Sequence, residues 1–236
     1  MKSLVIIPAY NEELNIVNTI SNLKEYAPDF DYVIINDCSK DETASVCSEN
    51  GFHFISLPIN LGIGGAVQTG YRYAALNGYD IAVQFDGDGQ HDAAYLEEMR
   101  NMLLREEADL VIGSRYITRE GFQSSGLRRM GIRYFTHLIR LFTKHTVTDP
   151  TSGMRMAGRR VIETFAENYP KDYPEPESVV MLLRMKMKIM DCPVVMKERA
   201  AGKSSISPLK SVYYMLKVSL AIVLERFRRY PVHRDL

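Results

Sequence analysis

Tryptophan is absent from this chain, and its three cysteines, Cys38, Cys47 and Cys192, make no CxxC spacing. Neither a structural zinc site nor a disulfide framework is supported, so a reducing, cytoplasmic setting is expected. A net charge is missing as well, since 29 Lys+Arg balance 29 Asp+Glu, which argues against a bulk-basic nucleic-acid binder. No apolar run reaches the roughly 20 residues that span a bilayer. The opening MKSLVIIPAY is too short in apolar residues for a signal peptide and reads as a first strand. What remains is an ordinary globular composition, 236 residues with 46% hydrophobic and 25% charged. That excludes disordered and collagen-like classes and suffices for a substantial core.

The charge balance hides a strong asymmetry. Residues 1–114 carry 18 acids and 6 bases, whereas 115–236 carry 11 acids and 23 bases. An acidic half beside a basic half points to two jobs on one chain. In the acidic half, short apolar runs at 3–7, 31–35, 53–57, 80–85 and 109–113 alternate with helical windows around Leu14–Leu23, Ala66–Leu76 and Tyr95–Leu104. Runs without polar alternation suit strands buried on both faces, and their alternation with helices predicts a mostly parallel sheet that binds ligands at the carboxyl ends of its strands.

Polar clusters stand at three of those ends: Pro8-Ala9-Tyr10-Asn11-Glu12-Glu13, Asn36-Asp37-Cys38-Ser39-Lys40-Asp41 and Asp86-Gly87-Asp88-Gly89-Gln90. Any one of them reads equally well as a turn with a helix cap. Three acid-bearing clusters at three strand ends instead predict one acidic crevice. In Asp86-Gly87-Asp88 the two carboxylates share a cation only if the backbone turns between them, as Gly87 permits. Hard Mg²⁺ or Mn²⁺ is held by one or two carboxylates together with substrate phosphate oxygens, which makes this a candidate diphosphate site, with Gln90 as a neutral oxygen ligand. Gly62-Ile63-Gly64-Gly65 does not complete GxGxxG, because position 67 is Val, and it does not follow the first strand. It is read as glycines that let a helix start pack close to a neighbouring loop of the crevice.

Four segments, PAYNEE at 8–13, NDCSKDET at 36–43, NLGIGGAVQTG at 60–70 and DGDGQHD at 86–92, resemble the family 2 glycosyltransferases. Further on, GSR at 113–115, DPTSGMR at 149–155 and RAAGKSS at 199–205 resemble the subgroup with dolichyl-phosphate mannose synthase and bacterial polyprenyl-phosphate glycosyltransferases. The resemblance implies an α/β fold of the GT-A (Rossmann-like) type, a mostly parallel sheet flanked by helices, with C-terminal amphipathic helices. It implies a nucleotide-sugar donor, Mg²⁺ or Mn²⁺, and inversion at the anomeric carbon. Pro8, Tyr10 and Glu12 would surround the base and ribose, Asp37 would recognise the base, and Asp86, Gly87 and Asp88 would face the diphosphate. Asp86, Asp88 and Gln90 would hold the metal. Arg115, Arg199 and the RxxGxS loop would bind phosphates from the other side. Where relatives often carry Lys after the Ser of that loop this chain has Ser205, with Lys203 as the available charge.

The basic half suggests the acceptor. From Gly121 to Thr148 there is no acid, while Arg128, Arg129, Arg133, Arg140 and Lys144 interleave with apolar residues. Such a basic amphipathic helix seeks an anionic membrane surface, or else lays a solvated face over the core. Val212–Leu224 is apolar but short and interrupted by Lys217, with Tyr213 and Tyr214 as interface anchors. Peripheral attachment at the inner face of the cell membrane, or a small integral-membrane subunit, is therefore expected, with a homo-oligomer open.

A polyprenyl phosphate acceptor is ionised at neutral pH and needs no strong base, whereas a sugar hydroxyl needs a carboxylate. Without Trp the chain cannot contain the QxxRW motif of hydroxyl-directed processive synthases. Asp149, Glu175 and Glu177 are the candidate bases or acceptor-organising groups beside Asp88. Arg128, Arg129, Arg133 and Arg155 are candidates for the acceptor phosphate, and YPEPE is read as a stiff acidic loop. The expected organisation is a nucleotide-sugar half at 1–114, an acceptor half of the same domain at 115–206, and an amphipathic associating helix at 207–236. A saccharide-extending transferase and a non-catalytic nucleotide-sugar-binding subunit stand as alternatives.

Overall fold

The computed structural model describes residues 1–118, 120, 126–171, 174–197, 208–225 and 228, without the side chains of 127, 128 and 208–212. Seven strands form one sheet in the order β3-β2-β1-β4-β6-β5-β7. They are β1 (Ser3–Ala9), β2 (Asp31–Asn36), β3 (Phe54–Ser56), β4 (Ile81–Gln84), β5 (Leu110–Ser114), β6 (Arg155–Gly158) and β7 (Ile189–Pro193). All pairings are parallel except those of β6, which runs antiparallel to β4 and β5. The first five strands lie where the apolar runs place them. β6 and β7 carry no such run: RMAG opens on a charge, and IMDCP holds an acid and a proline.

Side chains alternate between two buried faces along each strand. Leu4 and Ile6 join Val33, Ile35 and Ala82 on one face, and Val5 and Ile7 join Ile34, Val83 and Phe85 on the other. The first face is covered by α3 (Gly62–Leu76), α5 (Gly126–Thr143), α6 (Arg159–Glu167), α7 (Pro174–Arg184) and α8 (Pro208–Glu225). The second is covered by α1 (Ile16–Tyr26), α2 (Thr43–Glu49) and α4 (Leu96–Arg105). Burial of both faces is why the central strands carry unbroken Val, Ile and Leu.

From β1 the chain steps outward to β2 and β3 on one side, then returns to place β4 on the other. The order reverses between β1 and β4, and the loops at their carboxyl ends leave a crevice bounded by the starts of α3 and α7. Pro8 sits there without cost to the sheet, because β4 pairs with β1 only from Ser3 to Ile6. α3 can pack on β1 because a Cβ on Gly70 would lie 2.1 Å from Ile6 Cγ2.

YPEPE is a correction to the expected loop: from Pro174 these residues form the first turn of α7. Proline fits a first turn, where the missing N–H has no intrahelical partner, and Glu175 and Glu177 there complement the helix dipole. The glycine reading is also redrawn. Gly62 begins α3 with φ +74°, but a Cβ on Gly64 would collide with the carbonyls of Pro170 and Lys171, so the close approach is to the chain between α6 and α7.

Candidate active site

A cavity of about 450 Å³ occupies the crevice, lined by Pro8, Ala9, Tyr10, Glu12, Asp37, Asn60, Gly62, Ile63, Ala66, Asp86, Gly87, Asp88 and Glu175. The lining holds five carboxylates and, among the described residues, no cation.

Two loops are stitched together at its floor. Glu12 N–H donates to Thr43 Oγ1 at 2.9 Å, and Glu13 N–H to Asp41 Oδ2 at 3.1 Å. Asn11, with φ +58°, donates its N–H to Ser39 Oγ and accepts from Lys40 N–H. In this cluster Ser39 and Asp41 do the turn and cap work, while Asp37 serves the cavity. Asp37 is nearly buried, and its Oδ1 accepts Leu61 N–H at 2.6 Å, fixing the carboxylate between β2 and the start of α3. Tyr10 is 42% exposed at the mouth, an open ring face for a base.

The Asp86-Gly87-Asp88 segment turns as anticipated. Asp88 is 5% exposed and its Oδ1 accepts Gln90 N–H at 3.0 Å. Thr19 Oγ1 donates to Gly87 O at 3.2 Å, tying α1 to the turn. A side chain on Gly87 would press on Pro8 O at 3.2 Å. Gln90 is not part of the cavity lining: its Nε2 donates to Lys197 O at 3.4 Å and its carbonyl accepts Lys197 N–H at 2.9 Å. Lys197 Nζ also pairs with Asp92 at 2.8 Å. Burial alone would raise the Asp92 carboxyl, but Lys197, Ala94 N–H and Asn22 together hold it below the usual range. This clasp anchors the strand exit after β7 to the acidic turn.

The donor set suits a divalent cation of the Mg²⁺ or Mn²⁺ type. Asp86 and Asp88 offer hard carboxylate oxygens, and Gln90 retains its amide oxygen. No group of three His, Cys, Asp or Glu among the described residues forms a closed cage. Such an ion would complete its shell with phosphate and water oxygens. A cradle is present too: a Cβ on Gly153 would sit 2.6 Å from Asp86 Oδ2, so the carboxylate occupies space that only glycine leaves.

The basic candidates fare differently. Arg115 and Asp149, expected at phosphate and acceptor, form a buried bidentate pair, Nε to Oδ2 at 2.7 Å and Nη2 to Oδ1 at 2.9 Å. Burial pulls Arg115 down, yet the charge and hydrogen bonds of Asp149 outweigh it and the guanidinium is held above its usual range. Arg155 is a correction. It is fully buried, donating to the carbonyls of Ser152, Glu175 and Pro150 and to Ser178 Oγ, so it ties β6 to α7 and reaches no acceptor. Arg129 and Arg133 are exposed on α5. Glu177 is half-buried on α7 and does not line the cavity, whereas Glu175 does. The Arg128 side chain, Arg199 and Lys203 lie outside the described residues.

Four residues were not anticipated from sequence as parts of the site: Gln84, His91, Gly153 and Asn60. His91 stood inside DGDGQHD, and its signal was a histidine five residues beyond Asp86 across a glycine-rich turn. Gly153 gave none, because its partner is 67 positions away.

The fold has counterparts. Two solved structures of glucosyl-3-phosphoglycerate synthase from Mycobacterium tuberculosis superpose on this fold. The complex with phosphoglyceric acid has a TM-score of 0.73 at 20% identity, covering 95% of this chain and 79% of that one. The complex with Mn²⁺, UDP and glucosyl-3-phosphoglycerate has a TM-score of 0.71 at 20% identity over the same shares. In sequence, the chain is 28% identical to a UDP-N-acetylglucosamine–dolichyl-phosphate N-acetylglucosaminyltransferase of Methanococcus voltae, over 94% of this chain and 97% of that protein. It is likewise 28% identical to an undecaprenyl-phosphate mannosyltransferase of Micrococcus luteus, over 88% of each. The model of glycosyl transferase family 2 matches residues 4–165. With the GT-A sheet, the acidic crevice at its switch point and this match agreeing, the chain belongs to glycosyl transferase family 2 and is a glycosyltransferase.

Proposed function

We propose that this enzyme moves a hexose or N-acetylhexosamine, with inversion, from a nucleotide diphosphate sugar, UDP favoured, to a polyprenyl phosphate at a membrane surface. The observation that carries the donor half is the cavity itself: five carboxylates and no cation among its described lining. A nucleoside diphosphate would be repelled there unless a divalent cation stood between the phosphates and Asp86 and Asp88. When bound, Mg²⁺ or Mn²⁺ would neutralise the departing diphosphate.

The chain's own groups do the rest. Tyr10 offers a face to the base, and Asp37, pinned by Leu61 N–H, presents a carboxylate for a base N–H. Asp86 and Asp88 would hold the cation, which would supply the positive charge that anchors the donor diphosphate. Arg199 and Lys203 remain proposed donor-phosphate groups, and Arg128, Arg129 and Arg133 proposed acceptor-side cations. The Arg115–Asp149 pair braces the wall between β5 and β6 in this arrangement, which leaves Asp149 unsuited as a proton acceptor. Glu175 is the carboxylate placed to serve a hydroxyl acceptor, and a phosphate acceptor has no need of it.

Two exposed stripes support a membrane-bound acceptor. On α8, Tyr213, Leu216, Leu220 and Leu224 recur at helical spacing opposite buried Val218 and Ile222. On α5, Met130, Tyr134 and Leu141 lie opposite buried Phe135 and Ile139, flanked by exposed Arg129, Arg133, Arg140 and Lys144. The helices are joined by Tyr134 Oη to Ser219 Oγ at 3.0 Å and by the Phe135–Tyr214 edge contact. No described helix is long and apolar enough to cross a membrane. An apolar stripe bordered by bases is the pattern of a helix lying in an anionic interface.

The test is transfer by purified protein with Mn²⁺ or Mg²⁺, UDP- and GDP-sugars, and either undecaprenyl phosphate or oligosaccharides. Lipid-linked sugar that disappears with EDTA is the expected product. Glycosylation of a saccharide hydroxyl alone, lost in Glu175→Gln, would overturn the lipid acceptor in favour of polysaccharide extension. Donor binding without transfer or hydrolysis would leave a binding subunit.

A further inference from the structure

Both oxygens of the Asp86 carboxylate are approached by groups that do not themselves line the cavity, Oδ1 by a hydrogen bond and Oδ2 by a longer polar contact. Gln84, 1% exposed at the end of β4, donates from Nε2 to Asp86 Oδ1 at 3.4 Å. Its amide is oriented from behind, because Tyr169 Oη donates to Gln84 Oε1 at 3.3 Å. Tyr169 is a reliable donor: burial first, and the nearby Tyr71 and Glu175, hold its phenol well above the usual range. On the other side His91, 4% exposed, accepts Asp86 N–H at Nδ1, 3.0 Å. An acceptor at Nδ1 assigns the ring proton to Nε2, and Nε2 faces Asp86 Oδ2 at 3.6 Å, a polar contact longer than a hydrogen bond. Phe85 meets the His91 ring edge-on at 5.3 Å and limits its rotation. The Gly153 backbone closes the third side, and the carboxylate is still 35% exposed toward the cavity.

Resting on the reading of Asp86 as a metal ligand, we propose that His91 and Gln84 are positioning residues for the cation, His91 in its Nε2–H form steering Oδ2 while Gln84, set by Tyr169, steers Oδ1. A free carboxylate rotates about its Cβ–Cγ bond and samples orientations that present no lone pair to the ion. Groups of this outer kind fix ligand orientation, and their loss typically lowers metal affinity about 10- to 100-fold.

The experiment titrates Mn²⁺, with saturating UDP, into full-length protein and follows binding by calorimetry and by the Mn²⁺ electron paramagnetic resonance signal. His91→Asn keeps an acceptor near the position of Nδ1 for the Asp86 N–H but cannot reach Oδ2, so the turn is preserved and the steering removed. His91→Gln restores a donor of comparable reach. The expected result is Mn²⁺ affinity about tenfold or more weaker in His91→Asn and Gln84→Leu, partial recovery in His91→Gln, and a smaller loss in Tyr169→Phe, with thermal unfolding of the metal-free variants near wild type. A purely structural role would lower the unfolding temperature of all four without this ranking in affinity, and that outcome overturns the proposal. So does unchanged Mn²⁺ affinity in His91→Asn and Gln84→Leu. Wild-type protein that binds no Mn²⁺ with UDP, and behaves like Asp88→Ala, overturns the metal reading itself.

Discussion

Replacing Gly153 by alanine probes whether the site depends on where the Asp86 carboxylate stands. Gly153 does not adopt positive φ, so alanine is permitted by the backbone. The new methyl carbon would lie 2.6 Å from Asp86 Oδ2 and 2.9 Å from Oδ1, while ordinary contact begins at 3.4 Å, so the carboxylate must retreat by about 0.8 Å. The obstructed atoms end a rotatable side chain, and a small overpacking of this kind costs about 1–2 kcal/mol of stability at most, part of it offset by the lower entropy of the unfolded alanine chain. The same displacement at a proposed ligand of the cation is expected to be far more damaging, since a misplacement near 1 Å can cost about a hundredfold in rate. Steady-state transfer measured against Mn²⁺ concentration, beside urea unfolding, separates the two. The expected pattern is a rate loss of about two orders of magnitude, with a raised Mn²⁺ requirement, in protein that unfolds cooperatively near the wild-type midpoint. Wild-type rate and Mn²⁺ dependence in a folded Gly153→Ala protein would refute the reasoning, because Asp86 would then be dispensable or held elsewhere.

Arg155→Met should fail by destabilisation rather than by loss of acceptor binding. It leaves the carbonyls of Pro150, Ser152 and Glu175 short of a donor in a fully buried site, for a loss of about 3–5 kcal/mol in urea unfolding. Asp191 sets a pH dependence. Burial raises its carboxyl above the usual range despite two hydrogen bonds from Thr148. Its favourable contribution is therefore complete below the unfolded value near 3.8, and is lost as pH rises through the raised folded value. Urea midpoints across that window should fall more steeply with rising pH in wild type than in Asp191→Asn, and parallel curves would remove Asp191 as the cause. On α8, Leu216→Glu with Leu220→Glu should cut sedimentation with anionic vesicles tenfold or more and leave unfolding nearly unchanged, since both side chains are more than half exposed.

Local chemistry was legible in the sequence wherever it was carried by neighbours along the chain. Apolar runs gave the first five strands, because strands buried on both faces, such as β1 and β4, are built mainly of Val, Ile and Leu. The acidic turns after β1, β2 and β4 gave the crevice, because in a doubly wound sheet all such ends face the same way. β6 and β7 escaped notice because RMAG and IMDCP owe their strand state to pairing with β4 and β5, not to their own pattern. Only the folded chain could assign the charges. Arg115, Asp149 and Arg155 look alike in sequence as polar residues of conspicuous motifs, yet two neutralise each other in the interior and the third is consumed by main-chain carbonyls. Charge type is written in the sequence, but desolvation and partner depend on which distant segments meet. For the same reason the sequence put Asp86 and Asp88 in one turn with Gln84 and His91 close by along the chain, while the tertiary structure alone brought Gly153 against Asp86 and Tyr169 against Gln84.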